Sequence, residues 1–479
     1  MASFLEIFRN VPKNNKIVLL GNTLEFFDLY LYIHFATVIA QKFFPAGFEK
    51  TVFFRGFGFC QLYLLAPIAC LMFAYLGDRH GRKPIIIHTG IIMAVASTLI
   101  VFIPTYESWG ETAMLLLLIL RIIQGVAMAG EPTAAYLYIV ESSSIDRDDP
   151  FYKQSAWYVR VLTATEELGG ILALLACLLA LHLSKQYEHA WRLPFIFCVF
   201  SVGFILFARV NLTENSEYVN ATSNRSGVNM FDEGENGFLF LKKVMVFSKR
   251  NSWCLIGFLL PYPIVFNVCM LQISPQVVGA EAGLADLMTY NIYIALGSIV
   301  CNLVSIIIAL KLKWDLRNTV YHQVFIGLTA AFMAIWGLEN GLNTVFIYCC
   351  QILMMALVNF TILRPGLLKV MPVVGRYSLM GIAWGLARFS GFFMMVFIIP
   401  YIKLNFGLYG CFYLLFGSCV IAIFATWYHV SYYNIDAATI KRSINECNKS
   451  GMVNACTLTE KEVENAIIIT QNYLNERDN

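Results

Sequence analysis

Glu25 and Asp28 lie three residues apart inside an apolar run that begins at Ile17, and Glu131 lies inside a second such run. Residues three apart on a helix share a face, and at a rise of about 1.5 Å per residue the first two sit roughly 12–17 Å from the start of their run. Glu131 is at similar depth, counted back from Val140. An ionisable side chain in apolar surroundings costs several kcal/mol unless it is paired or lines water. Neighbouring carboxylates in low dielectric raise one another's proton affinity, which is what reversible proton binding requires. Arg121 stands about ten residues, or about 15 Å, from Glu131 along the same run; its guanidinium keeps its charge and can only modulate an acid or hold an anion. The other reading of Glu25, Asp28 and Glu131 is a structural ion pair locking two helices together.

A second group, Arg160, Glu166 and Glu167, lies in a fifth run. Arg160 and Glu167 are two helical turns apart, too far for direct contact, and either glutamate can face an interior cavity. The second half of the chain carries the opposite sign, with Arg388 in mid-run and Arg364 beside Pro365. An interior acidic on one wall and basic on the other suits a ligand with a carboxylate and a cationic group, with Arg388 as the carboxylate anchor. Phe26, Phe27 and Tyr30 beside the acids, and Trp384 beside Arg388, are the aromatics placed for cation–π contact.

The elements that must position these groups follow from composition. The chain has 479 residues, 58% hydrophobic and only 14% charged, with a mean hydropathy of +0.65, far from a soluble domain. A crossing helix needs about 20 mainly apolar residues, and such runs centre on 17–40, 52–76, 85–104, 113–140, 155–183, 193–212, 252–278, 288–312, 319–338, 342–372, 376–403 and 405–432. The reading is an all-α membrane protein with twelve transmembrane helices in two six-helix bundles. Its parts are an N-terminus at 1–16, a bundle at 17–212, a central loop at 213–251, a second bundle at 252–432 and a tail at 433–479.

With the N-terminus inside, the inner segments before the tail carry 18 Lys and Arg and the outer loops only five. This places both termini in the cytoplasm of a plasma membrane such as the bacterial inner membrane. The first run holds Glu25 and Asp28 and lacks a small-residue cleavage site, so it stays as a span. A net charge of +3, spread along one side, argues against nucleic-acid binding. Of 13 cysteines, 11 lie in or against apolar runs without ligand spacing; neither disulfides nor a metal is expected. No cofactor is expected either. The tail, with Thr459 and Glu462 at capping-box spacing, is a solvated segment or a short self-association or regulatory helix.

Between the second and third runs stands Gly77-Asp78-Arg79-His80-Gly81-Arg82-Lys83-Pro84. A carboxylate beside a helix N-terminus is stabilised by the exposed amides, while the cations face the anionic inner leaflet. This turn resembles the corresponding loop of the major facilitator superfamily. Gly21-Asn22-Thr23-Leu24-Glu25-Phe26-Phe27-Asp28, running on to Phe43-Phe44-Pro45, resembles the first span of its metabolite–proton symporters. So do Arg121 to Gly125 with Gly130-Glu131 and Glu141 in the fourth span, Trp191 to Phe195 with Arg209 and Glu214 around the sixth, and Met371-Pro372 with Arg376-Tyr377-Ser378 at the eleventh. The resemblance implies a secondary transporter that latches and rocks two bundles. Gly77, Asp78, Arg79, Gly81, Arg82, Lys83 and Arg376 would form the latch, and Glu25, Asp28, Arg121, Glu131, Glu166, Glu167 and Arg388 the proton and substrate sites.

Three departures stand out. Ala74 replaces an expected Gly, Ala66-Pro67 replaces Arg-Pro, and the matching turn near Lys311–Asn318 is degenerate, so the latch is one-sided. The expected function is proton-driven uptake of a small organic acid, amino acid or betaine-like osmolyte. The rivals are an uncoupled facilitator, exchanger or effluxer, and a transport-inactive sensor or scaffold. No nucleophile motif or buried His-Asp pair is arranged for enzyme chemistry.

Overall fold

In a bilayer every backbone N–H and C=O must find its partner inside the protein, so long apolar sequence folds as helix. The computed structural model describes residues 12–45, 65–142, 153–215, 218–219, 249–279, 283–311, 316–357 and 373–433. In chain order the helices of the first half are α1 (Lys13–Phe43), α2 (Ala66–His80), α3 (Arg82–Phe102), α4 (Glu111–Ser142), α5 (Lys153–Leu183) and α6 (Leu193–Val210). In the second half, α7 runs through Lys249–Leu259, Pro261–Phe266, a wider π-helical stretch Asn267–Ile273, and Ser274–Val278. It is followed by α8 (Leu284–Lys311), α9 (Leu316–Glu339) and α10 (Thr344–Leu357). The last pair is α11 (Val373–Phe393 with a π stretch Met394–Ile398) and α12 (Ile399–Tyr433). The backbone breaks inside this final helix at Gly407, with φ 63° and ψ −156°, two residues beyond the expected boundary.

Among the described residues, eight helices are long and apolar enough to cross a membrane. The α2 and α10 helices each adjoin a segment outside the described residues. The twelve helices form the two six-helix bundles expected. Within the first, α1 packs on α5 and α6, and α3 on α4 and α6; within the second, α7 and α9 pack on α12, and α8 and α9 on α10. The bundles meet along two main seams, α2 against α11 and α5 against α8.

The α2–α11 seam explains one departure. Ala66, Cys70 and Ala74 are buried, and Gly381 and Gly385 on α11 face them without side chains of their own. The close approach that a glycine at 74 would permit is supplied by the partner helix instead.

The π stretch of α7 poses a polar problem, because a widened turn releases carbonyls from the regular ladder. Gln351 of α10, fully buried, donates from Nε2 to the Cys269 carbonyl at 3.0 Å and to Ser274 Oγ at 3.2 Å. Its Oε1 accepts from Tyr290 Oη of α8 at 2.6 Å. One amide therefore ties three helices. Gln351→Leu should lower stability by about 1–3 kcal/mol, the cost of stranding buried polar groups; a thermal midpoint unchanged in detergent would contradict this role.

Candidate functional site

Three polar layers are stacked through the first bundle, starting where α2 gives way to α3. That turn is built by Gly81, whose φ of 98° is open to glycine and disfavoured for other residues. The Asp78 carboxylate accepts from the Tyr377 N–H at 3.2 Å, the Ser378 N–H at 2.9 Å and Ser378 Oγ at 2.6 Å. All three donors lie just past the break at Gly375 (φ 102°), near the start of α11, across the bundle boundary. Arg82 lies 3.8 Å from Asp78 and grips Glu141 of α4 with two hydrogen bonds, at 3.0 and 2.7 Å. Arg376 of α11 reaches the same carboxylate at 3.2 Å. Tyr377 lies over Gly77 and donates to the Gly130 carbonyl at 2.6 Å.

Of the seven residues expected in the latch, Gly77, Asp78, Arg82 and Arg376 are brought together and Gly81 shapes the turn. The Arg79 side chain donates instead to Tyr75 Oη at 2.7 Å, near the surface. Lys83 takes part through its backbone N–H, which donates to Glu214 at 3.0 Å. Glu141, Tyr377 and Ser378 join the same cluster. The degenerate turn of the second half lies outside the described side chains.

The second layer holds Glu25, Glu131 and Arg209. The Arg209 guanidinium of α6 pairs with Glu131, and Thr89 Oγ1 of α3 donates to the same carboxylate at 3.2 Å. Arg209 enters the bundle because Gly21 of α1 leaves the space its guanidinium fills, and it also donates to the Ile86 carbonyl at 3.3 Å. The Glu25 carboxyl lies against that of Glu131, with Arg209 and Arg388 as the nearby cations. No described N–H or O–H donates to either Glu25 oxygen. Sequence reasoning placed Arg209 at the exit of the sixth span and gave it no partner.

Asp28 belongs to a third layer. It accepts from Ser97 Oγ at 3.2 Å, Gln124 Nε2 at 3.1 Å and Cys198 Sγ at 3.0 Å. Arg121 donates to Gln124 Oε1 at 2.5 Å, with its guanidinium 3.7 Å over the Tyr32 ring. Arg121 thus acts on Asp28 through an amide. The three acids fall into two sets: Glu25 meets Glu131, while Asp28 of α1 packs against α3, α4 and α6.

The α5 acids lie at the bundle boundary. Glu167 accepts from Ser298 Oγ and Asn302 Nδ2 of α8, both at 3.2 Å. Tyr262 of α7 has Tyr30, Glu167 and Glu166 as charged or polar neighbours, and the Tyr30 ring lies 5.7 Å from that of Phe266. Arg388 donates to the Met128 carbonyl of α4 at 2.6 Å and stands 5.0 Å over Trp384. Phe27 faces Phe197 instead, edge to face at 5.4 Å. Arg364 and the Arg160 side chain lie outside the described residues, as do most of the central loop and the tail after Tyr433.

Two helical bundles joined by the Asp78 cluster, with polar and aromatic groups at their boundary, have the architecture of a membrane carrier. The chain belongs to the major facilitator superfamily, whose family model matches residues 19–398. It is 26% identical over 423 residues to a Haemophilus influenzae protein assigned to metabolite transport, covering 86% of this chain and 92% of that one. It is 33% identical over 201 residues to the citrate-proton symporter of Klebsiella pneumoniae, covering 41% and 44%. A Staphylococcus haemolyticus protein assigned to proline/betaine transport is 33% identical over 208 residues, with 42% of each chain covered. In three dimensions the chain is similar to the proton:xylose symporter XylE, with a TM-score of 0.68 at 11% identity over 86% of this chain and 94% of that one. This likeness concerns the fold. The protein is a multi-pass membrane transporter and not an enzyme.

Proposed function

We propose that the protein is a proton-coupled symporter, taking up a small organic acid, amino acid or betaine-like osmolyte by alternating access. It would sit in a plasma membrane such as the bacterial inner membrane, with both termini cytoplasmic. The observation that carries the reading is the contact between the Glu25 and Glu131 carboxyls beside a single paired guanidinium. Arg209 balances one negative charge. Two carboxyl groups in contact satisfy each other only when one of them holds a proton, so Glu25 is the group that takes a proton up and gives it back. Arg388, facing Glu25 from α11, links the proton site to the boundary between the bundles. A substrate carboxylate drawn to Arg388 would compete for that cation, and this competition is the coupling.

In this reading the Asp78 cluster lies at the cytoplasmic end and holds that end closed. Rocking one bundle against the other about the midplane would open it. The driving force is the proton gradient, with no cofactor required.

In proteoliposomes carrying a luminal pH dye, substrate uptake should acidify the lumen. Glu25→Gln should abolish both this signal and gradient-driven accumulation, while counterflow at equal pH continues. Accumulation that still follows the proton gradient in Glu25→Gln would sink the assignment. The solute itself can be found by a thermal-shift screen of organic acids, amino acids and betaines, because a bound ligand raises apparent stability by mass action.

A further inference from the structure

The Glu25–Glu131 site lies inside one bundle, yet transport requires the two bundles to separate. The α5–α8 seam carries a buried acid that spans the boundary. Glu167 of α5 is buried, as are Ser298 and Asn302 of α8. Each carboxylate oxygen takes one hydrogen bond from the opposite bundle, Oε2 from Ser298 Oγ and Oε1 from Asn302 Nδ2, both at 3.2 Å. This is an arrangement for an ionised carboxylate, which has two accepting oxygens and no hydrogen to give. A proton added to either oxygen removes the charge that both donors face, so the two ties fall from charge-assisted to neutral strength, a loss comparable to one charge-assisted hydrogen bond.

We propose that Glu167 is a second proton-responsive group: ionised, it ties α5 to α8 across the bundle boundary; protonated, it lets that seam open. The proposal rests on the reading of the protein as a proton-linked carrier, and gives the proton a place to act on the moving seam. Among the described side chains, the titratable groups near it include Glu166 on its own helix and Tyr262 on α7, itself a neighbour of Tyr30 on α1. The α8 partners are neutral and do not titrate. The acids of α1 and α4 are engaged elsewhere, Asp28 by Ser97, Gln124 and Cys198 and Glu131 by Arg209 and Thr89.

Two ties instead of one fit the geometry of a rocking carrier. The Asp78 latch holds the α2–α11 seam at the turn end, where the Arg82 guanidinium lies 3.8 Å from the carboxylate. The α5–α8 seam joins a carboxylate to a neutral hydroxyl and a neutral amide.

The test is amide hydrogen exchange of the full chain in nanodiscs, in mildly acidic and in neutral buffer, with rates corrected for intrinsic exchange. In the wild type, acidification should speed exchange in the turns around Glu167 and Asn302 by about tenfold, the effect expected from loss of one charge-assisted hydrogen bond. Glu167→Gln should exchange fast at both pH values. Ser298→Ala combined with Asn302→Ala, which leaves Glu167 in place, should flatten the response in the same way and serves if Glu167→Gln folds poorly. Glu25→Gln should keep the pH response. A wild-type seam indifferent to pH, or a Glu167→Gln seam that still responds as the wild type does, overturns the proposal. If Glu25→Gln keeps gradient-driven accumulation while Glu167→Gln loses the pH response, the first site is wrong and the second stands.

Discussion

Asp78→Asn should release the closed end of the carrier while leaving the first bundle folded. The carboxylate takes three hydrogen bonds from Tyr377 and Ser378, just past the break at Gly375 near the start of α11, where free amides and the helix dipole favour a negative charge. An asparagine keeps one acceptor and loses the charge. With charge-assisted bonds worth about 1.5–3 kcal/mol each, losing the equivalent of one or two shifts the closed–open equilibrium by about 2–4 kcal/mol, roughly thirtyfold to a thousandfold. Arg82 does not become an orphan, since Glu141 still holds it with two hydrogen bonds. The expected readout is faster amide exchange at Tyr377 and Ser378 and uptake reduced at least about tenfold, with the thermal midpoint little changed. Wild-type protection at those two amides would show that Asp78 does not hold this end shut.

Arg209→Met should have the opposite profile, a large loss of stability. Removing one partner of a buried ion pair leaves an uncompensated charge and costs about 3–5 kcal/mol. Here it also leaves two carboxyls facing each other, because Glu25 shares the site. A second change, Glu131→Gln, removes that charge, so the double variant should regain most of the stability. The cycle of single and double variants then measures the coupling directly. Gly21→Leu should mimic Arg209→Met without touching either charge, because its side chain would occupy the space the guanidinium fills. Additive losses in the double variant, or a Gly21→Leu protein as stable as the wild type, would show that the pair is peripheral.

Comparing these two variants shows which information is local. The Gly77–Pro84 turn is legible because its chemistry is compressed into eight residues: a glycine that permits φ 98°, an acid at a helix end and three cations. Two of its three partner donors are backbone N–H groups about 300 residues away, and a backbone amide leaves no mark in a sequence. Arg376 and its partner Glu141 are both legible only as parts of a resemblance, with nothing in the sequence to pair them.

Arg209 shows the reverse. A cation at the end of a span has an ordinary reading as an anchor at the interface, and nothing near it in the chain contradicts that. Its inward course depends on a missing side chain at Gly21 on another helix and on the buried charge of Glu131 on a third. The separation of Glu25 from Asp28 is subtler still. Three residues of α-helix turn the chain by about 300° and advance it about 4.5 Å. The two acids therefore share a face, offset by about 60°, and neighbouring helices crossing at an angle offer them different partners at different depths.

The membrane, the helical spans and the charged turn can be read before any folding is known, because each follows from hydropathy or from residues adjacent in the chain. The sequence also identified most of the buried charges, since a charge in an apolar run is conspicuous wherever it lies. Only the tertiary structure decided which charge meets which: Arg209 with Glu131, Arg121 with Asp28 through Gln124, and Glu167 with two neutral residues of the other bundle. The reason is energetic as much as geometric. Burying a charge demands a partner, but any of several helices can supply it, and the choice is made by packing between segments hundreds of residues apart.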